Sequence, residues 1–196
     1  MWTYFLPAIK QAKAWVDAGK IGNIKHVKAD FGYPIPYDEH SREYSADLAG
    51  GCLLDMGIYP LAIAHYFLGK DIRTVDVKTT LAPNGVDQDV VFLAQYDQAL
   101  ATLASSFQCK LPNSAYIIGT EGTIEIPNFW QADQCTLYHL DEQIDHFKDQ
   151  RTTLGFNFEA EAVTQALLNN VTESDTVPHE TSEWFQTWLT AIKKAF

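Results

Sequence analysis

Cysteine is scarce in this chain of 196 residues, and its placement excludes the sites that depend on paired thiols. Cys52, Cys109 and Cys135 lie far apart, and no C-x-x-C pair occurs. This spacing is typical of small core or surface thiols rather than of a metal or redox site, and the odd count fits a reducing compartment. The six histidines show no ligand spacing, so we expect no metal site.

Basic residues are also few, since 14 Lys plus Arg stand against 25 acids and the net charge is −11. An acidic chain is poorly suited to nucleic acid or to an anionic membrane surface, so neither is expected as a partner. Residues 1–7 lack the basic and apolar regions of a secretory signal, and no apolar run is expected to span a bilayer. We therefore expect a cytoplasmic protein.

Two kinds of catalytic motif are missing as well. No serine lies in a glycine-flanked elbow, and no glycine-rich fingerprint follows a strand pattern. The run Gly119-Thr-Glu-Gly122 lies between two strand patterns with no helix after it, so it predicts a hairpin turn rather than a phosphate loop.

Apolar periodicity predicts helices at both ends of the chain and strands in the middle. A helical period covers residues 5–18, 156–169 and 181–195, and residues 24–31 alternate as a strand. After Gly69 the period becomes two, and roughly six antiparallel strands are predicted, with a short further one at 144–147: residues 72–82, 86–96, 99–107, 114–119, 122–126 and 135–140. These elements predict one compact α+β domain.

The strand predicted at 99–107 has no strongly charged face, because one side carries Ala, Leu, Ser and Phe and the other carries Leu, Thr, Ala and Ser. A sheet face of this kind is suited to packing against another sheet, so we expect self-association.

The apolar segment 48–69 carries an acid and a phenol, Asp55 and Tyr59, four residues apart. In a helix this spacing places both on one face. Pro60 would kink a continuous helix, and nearby glycines permit close approach of a backbone or a ligand. Two interpretations stay open: a functional site, or a buried Asp beside a packed Tyr. The long loop 32–47 before this segment either folds over the pair or is an ordinary surface loop.

A phenol can give a proton to, or take one from, an alcohol oxygen, but this chemistry normally requires a nearby cation. The neighbourhood offers only Arg42 or His65. His65 lies off the Asp55 stripe and is interpreted as a core or boundary residue.

Four stretches resemble one known family. Leu48-Ala-Gly-Gly-Cys-Leu-Leu-Asp-Met-Gly-Ile-Tyr-Pro60 resembles the corresponding segment of the Gfo/Idh/MocA oxidoreductases, in the branch with dimeric dihydrodiol dehydrogenase and xylose dehydrogenases. Residues 1–7, 117–124 and 156–163 are similar to further segments of the same family.

The resemblance implies a fold of the glucose-fructose oxidoreductase type, whose C-terminal α+β domain is a large open, mainly antiparallel sheet with helices packed on one face. Residues 1–22 would be a connecting helix after a missing Rossmann domain, and residues 23–196 the substrate-binding and oligomerisation domain. NAD or NADP would serve the complete enzyme, with no cofactor expected on this chain alone. The chain alone would be inactive, because it lacks the nucleotide-binding domain and the lysine of the family's Glu-Lys-Pro motif. It would be an engineered fragment, a truncated gene product or one piece of a split enzyme.

Carried over by the resemblance, Tyr59 is the catalytic proton donor or acceptor and Asp55 orients a small-molecule sugar or diol. Arg42, Gly50 and Gly51 are candidate contacts to substrate or cofactor. Other branches have His at position 59 and Asp at position 62, so this pattern favours the dihydrodiol and aldose dehydrogenase type. The implied assembly is a homodimer or higher oligomer through the sheet face. The alternative is a stand-alone, non-catalytic binding or assembly module derived from such an enzyme.

Overall fold

The computed structural model describes residues 1–196 as four α-helices and one eight-stranded sheet. The helices, in chain order, are α1 (Pro7–Asp17), α2 (Ile58–Leu68), α3 (Phe156–Leu168) and α4 (His179–Lys193). The strands are β1 (Ile24–Gly32), β2 (Thr74–Leu81), β3 (Asp87–Gln95), β4 (Leu100–Ser106), β5 (Ser114–Gly119), β6 (Thr123–Pro127), β7 (Gln134–His139) and β8 (Glu142–Lys148).

The sheet is open, with the strand order β2-β3-β4-β1-β5-β6-β7-β8. Every neighbouring pair is antiparallel except β1 and β4, which run parallel. The strands after residue 72 were predicted as successive neighbours, but β1 inserts between β4 and β5. The early strand therefore lies at the centre of the sheet, directly beneath the segment that carries Asp55 and Tyr59.

One face of the sheet carries the helices, and a single hydrophobic core lies beneath them. Side chains such as Val27, Leu103 and Ile117 point to this face and are fully buried. The helix α1 packs over β6 and β7, and α2 packs over β1 and β4. The opposite face carries no helix, which confirms the predicted open sheet with helices packed on one face. A connecting role for residues 1–22 stays a prediction.

The central segment is a turn of π-helix, Leu53–Gly57, that continues into α2. Pro60 lies directly after the π turn, inside this continuous helical segment, and has no N–H to donate to the turn before it. The kink expected at Pro60 stays a prediction. A Cβ on Gly57 would lie 3.0 Å from Oγ of Ser105, so glycine lets the segment approach β4 closely.

The segment Ala46–Leu68 is long and apolar enough, by length and composition, to cross a membrane, although no such run was expected from the sequence. However, 61% of its most apolar window is buried inside the domain. Its apolar character is explained by its position, because α2 is the central helix of the core.

His65 lies on α2 away from the Asp55 side chain, in a partly buried aromatic environment. Its Nδ1 is 3.1 Å from the hydroxyl of Tyr4, which itself donates a 2.6 Å hydrogen bond to the Ala62 carbonyl. Burial lowers the pKa of His65, Glu180 opposes that change and Lys70 adds to it. Since Tyr4 uses its only proton on Ala62, Nδ1 of His65 carries the proton of this contact.

Acidification is expected to destabilise the chain through His65. The folded pKa lies below the usual 6.5, so the unfolded chain binds the proton more readily, and stability present above pH 6.5 falls as the pH drops below it. The urea midpoint of the wild type should fall more between pH 7.5 and pH 5 than that of His65→Asn. Equal decreases in the two proteins would contradict this assignment.

Candidate functional site

Asp55 and Tyr59 line the same open cleft, which has a volume of about 340 Å³. Most of its walls are apolar or aromatic, and they come from elements distant in sequence: Trp2, Phe31, Met56, Trp130, Gln131, Leu154 and Phe156. The predicted pairing of the acid and the phenol on one side of the segment is therefore present in the fold.

The π turn is the local reason for this arrangement. Asp55 lies within the wide turn Leu53–Gly57, and Tyr59 follows in the first turn of α2. One π turn takes slightly more than four residues, so side chains four apart stay on nearly the same side. Such turns are frequent at functional sites.

Tyr59 is held by aromatic neighbours on two sides. The indole Nε1–H of Trp2 donates a 3.2 Å hydrogen bond to its hydroxyl oxygen. The ring of Phe31 lies edge-on to it, with centroids 5.3 Å apart. Trp2 also contacts Phe156, with centroids 4.3 Å apart. The phenol ring is therefore fixed in the wall of the cleft.

The aromatic walls were not predicted as site residues. Phe31 ends a strand pattern, Trp130 lies in a short turn after β6, and Phe156 begins α3. No local motif connects them, since only the complete fold brings these elements together. The ring of Phe31 stacks on Trp130 with centroids 4.6 Å apart, which closes one side of the cleft.

Arg42 reaches Asp55 from the preceding loop. Its guanidinium Nη2 donates a hydrogen bond to Oδ1 of Asp55, and this contact raises the pKa of Arg42. The loop is anchored by Tyr44, which is fully buried and donates a 2.9 Å hydrogen bond to the Ile35 carbonyl. Arg42 does not line the cleft itself, so the structure places it behind Asp55.

Gly50 and Gly51 join this loop to the helical segment. A Cβ on Gly50 would lie 2.7 Å from the carbonyl oxygens of Glu43 and Ser45. The N–H of Gly51 donates to the Glu43 carbonyl at 2.9 Å, and its own carbonyl accepts from the N–H of Asp55 at 3.1 Å. Neither glycine lines the cleft, and their contact with substrate or cofactor stays a prediction.

A larger cavity of about 430 Å³ lies elsewhere, between α3 and the polar segment that follows it. It contains no aligned pair of acid and phenol, so the smaller cleft is the better candidate on chemical grounds.

Burial raises the pKa of the Cys52 thiol and raises that of Cys135 to about 12, so neither is a reactive thiolate. All three cysteines are unpaired.

Comparison with known proteins decides the family. The family model of the GFO/IDH/MocA C-terminal domain matches residues 9–125, which is more than half of the chain. The chain belongs to the GFO/IDH/MocA C-terminal domain family. It is also 31% identical over 184 residues to the trans-1,2-dihydrobenzene-1,2-diol dehydrogenase of Xenopus tropicalis. That alignment covers 88% of this chain and 54% of the relative, so the chain spans little more than half of its length.

Solved structures of GFO/IDH/MocA type share the fold. The aldose-aldose oxidoreductase of Caulobacter crescentus, complexed with glycerol, has a TM-score of 0.87 at 21% identity, over 99% of this chain and 59% of that one. The 3-ketoreductase KijD10 of Actinomadura kijaniata, in complex with NADP, has a TM-score of 0.84 at 23% identity, over 99% and 61%. Both confirm the predicted architecture.

Proposed function

We propose that this chain is the substrate-binding and oligomerisation half of an NAD(P)-dependent oxidoreductase that acts on the CH–OH group of a sugar or diol. The observation that carries the proposal is the joint presence of Asp55 and Tyr59 in one aromatic cleft. The named activity of the Xenopus relative and the glycerol and NADP complexes of the structural neighbours support the same reaction class.

Different residues of the chain have different proposed roles at the CH–OH group of the substrate. The Tyr59 hydroxyl donates its proton to the reacting oxygen in reduction, and the Tyr59 phenolate takes the proton of the alcohol in oxidation. Asp55, fixed from behind by Arg42, accepts a hydrogen bond from a neighbouring substrate hydroxyl. The faces of Phe31 and Trp130 provide apolar surface for the C–H side of a sugar or for a carbocyclic ring.

A nicotinamide cofactor supplies the hydride chemistry when it is bound. This chain offers aromatic surface at the cleft but no glycine-rich strand-to-helix turn for a diphosphate, so that group must be held by another domain. Leu154 and Phe156 line the cleft and are 67% and 51% exposed. A second domain seated there would shield the reaction from water.

The proposal is tested by measuring cofactor binding and substrate oxidation in separate experiments. The purified chain should show no change in nicotinamide fluorescence with NADH or NADPH at micromolar concentrations. The chain joined to a nucleotide-binding domain should oxidise members of a panel of aldoses and vicinal diols with NAD or NADP. Micromolar cofactor binding by the chain alone would contradict the proposed division between domains.

The open face of the sheet is the proposed homodimer surface. Val91, Leu93 and Leu100 lie on this face of β3 and β4 and are 47%, 39% and 40% exposed, beside the small side chains of Thr102 and Ala104. An exposed apolar strip on an open sheet face favours self-association. Nothing in the structure favours the stand-alone, non-catalytic module, because the acid and the phenol both face the cleft.

Leu93→Lys is expected to shift the chain from dimer to monomer in analytical ultracentrifugation, since it places a charge in the middle of the strip. Leu168→Lys is the matched control, because Leu168 is an exposed leucine on α3 and its replacement should leave the dimer intact. A wild-type chain that stays monomeric up to about 100 μM, where an interface of micromolar Kd would be occupied, would contradict the proposed surface.

A further inference from the structure

Asp87 is a buried carboxyl group that belongs to none of the sequence motifs. It is the first residue of β3 and only 1% exposed. Its Oδ2 accepts a 2.8 Å hydrogen bond from the backbone N–H of Leu53, and its Oδ1 has no hydrogen-bond partner. A buried carboxyl is costly unless it is used, so this contact requires an explanation.

The contact provides a helix cap that no residue of the segment itself provides. Leu53 is the first residue of the π turn that carries Asp55, and the residue before it, Cys52, makes no side-chain cap. The first N–H groups of a helix have no intrahelical acceptor, and a carboxylate there is also favoured by the helix dipole. Asp87 therefore caps the segment from a neighbouring strand.

Gly51 makes this cap possible. Its φ is +115°, and a Cβ at this position would lie 2.2 Å from Oδ1 of Asp87. The carboxyl thus packs directly on the Gly51 backbone, which bonds to the Arg42 loop through Glu43 and to the N–H of Asp55. One side chain fixes the point where the loop, the glycine and the π turn meet.

We propose that Asp87 is a positioning residue that sets the place of Asp55 and Tyr59 by holding the start of their helical segment. The roles of those two residues rest on the proposed function, but the restraint on the segment does not. Asp87 lines no part of the cleft, so it acts through Leu53 and Gly51 rather than on substrate.

The first test measures position without activity, by amide hydrogen exchange on the 196-residue chain. Asp87→Leu cannot accept the Leu53 hydrogen bond, and exchange of the amides in Leu53–Gly57 should become about tenfold faster. The amides of β5 and β6 should exchange at the wild-type rate. Asp87→Asn keeps an oxygen acceptor and should restore most of the protection.

Two results would overturn the proposal. One is wild-type protection of Leu53–Gly57 in Asp87→Leu. The other is a loss of protection of equal size in β5 and β6, which would show a general structural role. If Asp87→Leu fails to fold, Asp87→Ser provides the comparison, because its hydroxyl is too short to reach Leu53 without a shift and exchange in the segment should again rise about tenfold.

The second test uses the chain joined to a nucleotide-binding domain. Asp87→Ser should lower kcat by about tenfold or more with little change in KM, because a small displacement of Tyr59 misplaces the proton transfer. An unchanged kcat together with faster exchange would contradict the positioning role. An inactive wild-type fusion would instead count against the proposed function and leave the exchange result standing.

Discussion

Tyr59→Phe in the chain joined to a nucleotide-binding domain is expected to lower kcat by about 10²–10⁴-fold, the range that one positioned acid–base group contributes. The substitution removes the hydroxyl and keeps the ring, so the edge-on contact with Phe31 is preserved. Substrate affinity should change little, because the aromatic walls of the cleft stay in place. Initial rates over a range of substrate concentrations separate kcat from KM.

Two matched variants make this result specific. Tyr66→Phe removes a hydroxyl from the same helix outside the cleft and should leave turnover unchanged. Trp2→Phe removes the N–H that donates to Tyr59 and should lower kcat less than loss of the phenol does. A Tyr59→Phe enzyme with wild-type turnover would contradict the role of the phenol as the group that moves the proton.

The acid–phenol pair could be predicted from sequence because its geometry is local. Asp55 and Tyr59 are four residues apart, and a side chain's position within one helical turn depends little on the rest of the fold. The turn itself was expected to be α-helical. Periodicity over a single turn does not distinguish α from π, so the wide turn that places Asp55 was found only in the structure.

The strands were also predicted from local signals, but their order was not. Alternation identifies a strand and hairpin turns join neighbours, which explains the agreement within β2–β4 and within β5–β8. The parallel pairing of β1 with β4 depends on residues more than seventy positions apart, such as Val27 and Ala101. That pairing places Phe31 under Tyr59, and no local pattern contains it.

The supports of the site depend on contacts that are just as distant in sequence. The cap on Leu53 comes from a carboxyl 34 residues later, and the hydrogen bond to Tyr59 comes from an indole 57 residues earlier. The first residue of α4 was also not predicted correctly from the local sequence. A helical period was predicted over residues 181–195, but the helix begins at His179, because the Pro178 carbonyl already accepts from the N–H of Thr181.

Gly119→Ala is expected to destabilise the chain by about 3 kcal/mol or more, near the upper end for a single overpacked site. Gly119 ends β5 at the hairpin that was predicted from the run Gly119-Thr-Glu-Gly122. A Cβ there would lie 2.0 Å from the backbone carbonyl oxygen of Ile21. That oxygen already accepts a 3.0 Å hydrogen bond from the N–H of Glu121, so it cannot move away without breaking the contact.

The same hairpin is fastened to the turn between α1 and β1 by two further bonds. The N–H of Thr120 donates to the Asn23 carbonyl at 3.0 Å, and the N–H of Asn23 donates to the Thr120 hydroxyl at 3.1 Å.

Urea unfolding of the purified chain measures the decrease in the free energy of unfolding caused by Gly119→Ala. Gly85→Ala is the control, because it has a φ of +85° and no atom within 4 Å of its Cβ, so only the backbone cost of about 1–2 kcal/mol applies. If Gly119→Ala costs no more than this control, the hairpin does not require glycine for close approach to the turn, and the resemblance of residues 117–124 to the family would need another physical cause.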